Sequence, residues 1–216
     1  MSAAREDRET VRTLLRAYGR TYAEEAGIRL RDTPQPLYQP LVLAVLISAR
    51  IRASVAVEAA RCLNKAGMKS PRRMADATWQ QRVDALGEGG YRRYDERTAT
   101  MLGNGADLLL EHYGGDVRRM RSKADGDVGR LREVLREVPG LGPAGADIFL
   151  REAQAVWPEA YPYIDAKALQ GARRLGLPGD PEALAGLVDR KEAPALAAAL
   201  VRAALDKTVA EDVRGG

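Results

Sequence analysis

The sequence predicts an all-α fold. Apolar residues recur at spacings of three and four through most of the 216 residues, while strand-like alternation and Asn-Gly hairpin turns are scarce. With 45% apolar and 30% charged residues, the chain has the composition of a globular protein, and its length allows one or two small domains.

The first helix is expected at 5–26. Residues 31–40 carry Pro34, Pro36 and Pro40 and read as a connection. Leu41 to Ile47 is apolar on every side, so it is a buried helix or a buried strand. Pro40 suits the first helical position, which favours a helix at 38–51. Further helices are predicted at 53–66, 78–86, 95–113, 127–138, 143–155, 164–176 and 192–207, with a break from Trp157 to Pro162. The two breaks predict two helical lobes, one from 36–156 and one from 1–35 plus 157–216.

The segment from 128 to 155 has the strongest local pattern. Val128, Leu131, Val134, Leu135 and Val138 share one helical face, Pro139-Gly140-Leu141-Gly142 stops that helix, and Pro143 suits the start of the next. The second helix would turn Ala146, Phe149, Leu150 and Ala153 inward. Gly140 and Gly142 permit a tight hairpin whose N–H groups, with those of the second helix start, point outward. Such a hairpin is either a phosphate-binding site or an ordinary helix–helix turn. Further on, Ile164, Ala168, Ala172 and Leu175 form an apolar stripe that leaves Asp165 at the helix N-terminus. It serves there as an N-cap, a catalytic carboxylate, or both.

Composition excludes several chemistries. The single Cys62 rules out an internal disulfide, a cysteine-ligated zinc and an iron–sulfur cluster within one chain, and the single His112 rules out two-histidine metal sites. An acid or base is therefore a carboxylate or a lysine. Lys+Arg outnumber Asp+Glu 34 to 30, a modest excess that hints at a polyanionic partner. MSAAREDRET has no signal-peptide profile and no apolar run spans a bilayer, so a cytoplasmic protein without membrane contact is expected.

These residues resemble the helix-hairpin-helix DNA glycosylase superfamily, the endonuclease III-like group. The resemblance rests on ValProGlyLeuGlyProAlaGlyAlaAsp at 138–147, on Ile164-Asp165, and on Arg173-Arg174-Leu175-Gly176. In that family a Leu-Pro-Gly-Val-Gly hairpin precedes Val-Asp-Thr-His and a helix ending in Arg-Leu-Gly. LeuAlaValLeuIleSerAlaArg at 43–50 is similar to the family's Leu-Leu-Ser-Ala-Gln helix, and Gly90-Tyr91 to its Gly-Leu-Tyr turn. The likeness implies two helical lobes with a DNA-binding cleft between them. It implies a phosphate anchor at Gly140, Gly142, Ala144 and Gly145. It also implies a catalytic Asp165 and, in some members, a sodium or potassium ion on hairpin carbonyls, here Arg136, Val138 and Leu141. Arg50 stands where relatives place a gap-filling glutamine. Tyr91, Arg92 and Arg93 are candidates for a DNA wedge or for stacking, or are a core tyrosine and a solvated pair.

Two departures set the expected chemistry. Relatives that also cut the strand carry a lysine where this chain has Ala144, so lyase activity is not expected. The family's Thr-His after the aspartate is Ala166-Lys167, and Lys167 is a phosphate contact, a surface charge or a displaced amine nucleophile. The predicted function is a monomeric, monofunctional DNA N-glycosylase acting on duplex DNA with a damaged or mismatched base, without an iron–sulfur cofactor. The alternatives are a catalytically inactive helix-hairpin-helix DNA-binding protein and an unrelated helical protein.

Overall fold

The computed structural model describes residues 3–215, which form fourteen α-helices, two single-turn 3-10 segments and no strand. The predicted all-α fold with a helix-hairpin-helix is the fold observed. In chain order the helices are α1 Ala3–Tyr18, α2 Tyr22–Glu25, α3 Pro34–Ser48, α4 Ala53–Lys65, α5 Pro71–Asp76, α6 Trp79–Glu88 and α7 Asp95–Tyr113. They continue with α8 Val117–Ala124, α9 Val128–Leu135, α10 Pro143–Ala153, α11 Ala166–Leu175, α12 Pro181–Ala185, α13 Ala193–Leu205 and α14 Lys207–Gly215.

The helices group into two compact units, Met1–Tyr22 with Leu150–Gly216, and Ala23–Phe149. The boundaries drawn from the prolines fall elsewhere, at 35/36 and 156/157. Pro34 and Pro36 occupy the first turn of α3, where missing N–H groups cost nothing, so the proline-rich stretch is mostly helix. Pro40 accordingly lies inside α3 and not at its start. The predicted helix at 5–26 is broken in two, because the chain leaves α1 at Gly19, whose N–H bonds the Leu15 carbonyl. A Cβ on Gly19 would sit 2.4 Å from that oxygen.

In the unit of Ala23–Phe149, α3 is buried on all sides from Leu37 to Leu46, apart from the half-buried Gln39. Helix α4 packs on α3, α6 on α4, α7 on α6, and α8 on both α7 and α3, while α5 lies on α7. A buried arginine of α6 ties that helix to α5 and α7. Arg82, 9% exposed, donates to the carbonyls of Met74 (2.9 Å), Ala77 (2.7 Å) and Ala99 (2.9 Å), closing the C-terminus of α5 against α7. Gly103 on α7 makes room for it, since a Cβ there would lie 2.7 Å from Nη2.

The unit built from both chain ends has its own core. Val11 and Leu14 of α1 join Ile164, Ala168, Ala172 and Leu175, the residues α11 was expected to bury, and the apolar face of α13. Helices α11 and α13 approach closely because Gly171 faces the Leu200 carbonyl, which a Cβ would meet at 1.8 Å. Alanines at 199 and 203 of α13 keep the rest of that contact flat.

Candidate functional site

The hairpin is built as its sequence dictates. Leu131, Val134, Leu135 and Val138 of the first helix and its exit are buried, as are Ala146, Phe149, Leu150 and Ala153 of the second. Val128 is half-buried. Gly140 turns the chain at φ 85°, the left-handed region that a side chain rarely adopts, and the Leu141 N–H closes the turn on the Val138 carbonyl at 3.0 Å. A fork between Arg132 and Asp147 (2.8 and 3.3 Å) clamps α9 to α10. Among the described residues, no protein acceptor meets the N–H groups of Gly140, Gly142 or Ala144. Gly142 and Ala144 are exposed, so these amides can take an anion from outside.

Not all of the expected anchor residues face outward. Gly145 is buried, with the Ser48 hydroxyl and the Leu141 side chain 2.6 and 2.9 Å from where its Cβ would be. Its lack of a side chain lets α10 lie on the end of α3, and it is a packing glycine rather than a phosphate contact. Tyr91 is likewise a core residue. It is 0% exposed and its hydroxyl donates to the Leu46 carbonyl at 3.3 Å, which matches the core-tyrosine alternative and leaves no ring face open to solvent in this structure. Arg92 and Arg93 are exposed beside it, and Arg93 lies 5.2 Å over the Tyr94 ring.

Beside the hairpin a cavity of about 530 Å³ opens between the end of α3, the start of α7 and residues 138–142. Val45, Met101, Val138 and Leu141 line it with apolar surface, and the arginines 50, 97 and 136 line it with positive charge. Arg97 was not picked out from the sequence. Arg136 is paired with Glu133 at 2.8 Å, whereas Arg50 and Arg97 are exposed and carry no ion pair among the described residues. The basic run Arg118 to Lys123 is spent differently: Arg118 pairs with Asp116, Arg121 with Asp32 and Lys123 with Glu137.

Asp165 lies in the other unit, at the N-cap of α11, with Oδ1 accepting from the Ala168 N–H at 3.1 Å. Its side chain is only 8% exposed, and Oδ2 lies 3.8 Å from Nε of Arg151, itself 9% exposed. Just past the end of α10, Gln154 holds the loop that leads into Asp165. Its amide donates to the Tyr163 and Arg151 carbonyls (both 3.0 Å) and accepts from the Tyr163 N–H (2.9 Å). Neither Arg151 nor Gln154 was visible as a site residue in the sequence. Lys167 is exposed and donates to Gln170 at 2.9 Å.

The described residues contain no group of three or more His, Cys, Asp or Glu able to hold a metal. Among them, no helix is long and apolar enough to cross a membrane.

Two solved structures share this architecture. One is a trapped endonuclease III–DNA covalent intermediate, the estranged-adenine complex, with a TM-score of 0.52 and 16% sequence identity over 94% of this chain and 86% of that one. The other is a non-covalent endonuclease III–DNA complex, with a TM-score of 0.53 at the same identity and coverage. The chain therefore has the fold of endonuclease III. No protein-family profile and no curated protein sequence matches it.

Proposed function

We propose that the protein is a monofunctional DNA N-glycosylase of base excision repair, acting on duplex DNA that contains a damaged or mismatched base. The observation that carries this reading is the fixed, nearly buried carboxylate of Asp165, borne on the fold of a protein solved with DNA. The target nucleotide leaves the stack, because its glycosidic bond is inaccessible within a duplex. As C1′–N breaks, positive charge develops on the sugar and the electron pair leaves with the base. Asp165 opposes that charge and orients the water whose oxygen attacks C1′. One proton of that water stays on the new C1′ hydroxyl and the other passes through solvent to the departing base, so the products are a free base and an abasic site.

The unbonded amides of Gly140, Gly142 and Ala144, with Arg50 and Arg97, supply phosphate contacts that position the duplex without reading sequence. A sodium or potassium ion fits the same hairpin: the carbonyls of Arg136 and Leu141 accept no described hydrogen bond, and that of Val138 accepts one. Ala144 offers no amine for a Schiff base, and Lys167 is engaged with Gln170 at the surface, which supports hydrolysis without strand cleavage. The protein works as a monomer in the compartment that holds the DNA.

The second reading is a DNA-binding protein without catalysis. It is favoured by one observation, that both oxygens of Asp165 already have partners within the chain. Incubation with a panel of duplexes, each carrying one lesion or mismatch, separates the two. A glycosylase gives strand breaks only after alkali, and borohydride traps no covalent adduct. Binding without breaks on any duplex establishes the second reading.

A further inference from the structure

The C-terminal half of α10 does more than finish the hairpin. It carries Arg151 and leads into Gln154, the residue just after it; both are more than nine-tenths buried and directed at the short segment from Tyr163 to Asp165. Gln154 bonds both backbone groups of Tyr163, which fixes the path of the chain two residues before the carboxylate. Arg151 fixes the carboxylate itself: with Oδ1 held by the Ala168 N–H, the guanidinium beside Oδ2 determines the rotation of the group. A cap alone needs neither. Asp116, Asp127 and Asp180 cap α8, α9 and α12 through one oxygen and a backbone N–H. Of these four capping aspartates, Asp165 alone is paired with an arginine that is itself buried.

We infer that Arg151 and Gln154 are positioning residues for Asp165, setting the orientation of its carboxylate toward the sugar cation. This rests on the glycosylase reading above. A reacting group displaced by about 1 Å can cost on the order of 10² in rate, so a device that holds a carboxylate from two sides acts on the chemical step and not on DNA affinity. The contact is a charge contact at 3.8 Å and not a bidentate fork, so a lysine can replace the arginine in part.

The test uses the full chain and the lesion duplex that the wild type processes, with single-turnover base release as one readout. Affinity for a duplex carrying a tetrahydrofuran abasic analogue is the other. Arg151→Gln and Gln154→Leu are each expected to slow base release by about tenfold or more, with analogue affinity changed by less than about threefold. Arg151→Lys is expected to recover most of the Arg151→Gln loss. Thermal unfolding of Arg151→Gln, Asp165→Asn and the double variant measures the pair without any substrate, and coupling between them is expected. Unchanged base release in a folded Arg151→Gln protein overturns the positioning role and leaves the glycosylase reading standing. Absence of base release by the wild type overturns both. Equal losses of rate and affinity, or a lysine variant no better than glutamine, reduce Arg151 to a structural residue.

Discussion

Single residues in this chain are tuned by the partners the fold brings to them. Lys123 and the Tyr113 hydroxyl both donate to Glu137, at 2.7 and 2.5 Å, and the lysine contact holds the Glu137 carboxyl below the ordinary 4.5. The Arg118 guanidinium holds Asp116 below the ordinary 3.8 in the same way. A depressed folded value means that the stabilisation is whole at neutral pH and lost as pH falls through that value. Melting temperature should therefore drop below about pH 4.5, and Glu137→Gln should make that decline shallower, as thermal scans across pH would show. Both carboxylates are partly open to solvent, so the effect is small and weakens with salt. Arg82 is a larger contributor. Arg82→Met strands the Met74 and Ala77 carbonyls, while that of Ala99 keeps its partner within α7, and should cost about 3 kcal/mol or more in urea unfolding; a loss under about 1 kcal/mol would show that water replaces the guanidinium.

At the scale of elements, glycines separate packing from binding. Gly171→Ala drives a Cβ into the Leu200 carbonyl and should destabilise the protein by about 3 kcal/mol, because α11 and α13 must part. Gly140 is a poor probe of DNA contact, since its φ of 85° and the nearby Met101 and Val45 make any side chain a folding defect. Gly142 is a clean one, exposed and with nothing within 4 Å of a Cβ. Gly142→Val should leave stability unchanged and weaken damaged and undamaged duplexes alike by about tenfold, as one charge-assisted contact predicts. Unaltered affinity would remove the hairpin from the DNA surface. The helices that were legible in the sequence are those with three or more turns of apolar stripe, such as 95–113, 143–155 and 164–176, and the eight-residue α9, which the Pro139-Gly140 stop marks. Helices α5, α8, α12 and α14 escaped because five to nine residues show too little period against a charged background. Their start signals were nonetheless present in Ser70-Pro71, Asp116 and Asp180-Pro181.

Across the whole molecule, what the sequence revealed and what it concealed divide by range. Asp165 at a helix start, and the hairpin at 138–147, follow from residues a few positions apart. The mount for Asp165 does not, since Arg151 and Gln154 meet the segment 163–165 only because α10 runs back beside it. The packing of Gly145, and which of the two readings of Tyr91 holds, were hidden for the same reason: their neighbours, Ser48 and Leu46, are distant in the sequence. The exposed arginines 50, 92, 93 and 97 also predict binding that falls steeply with salt, and a slope near zero in log affinity against log salt would contradict phosphate contact. The central claim, that Asp165 opposes a sugar cation, is met most directly by single-turnover base release from Asp165→Asn. Asparagine keeps the cap but removes the carboxylate beside Arg151, so binding to the abasic analogue serves as the check on folding. A fall of ~10² or more in base release, with analogue binding retained, is the predicted result. Release at the wild-type rate from a folded Asp165→Asn protein would contradict the account.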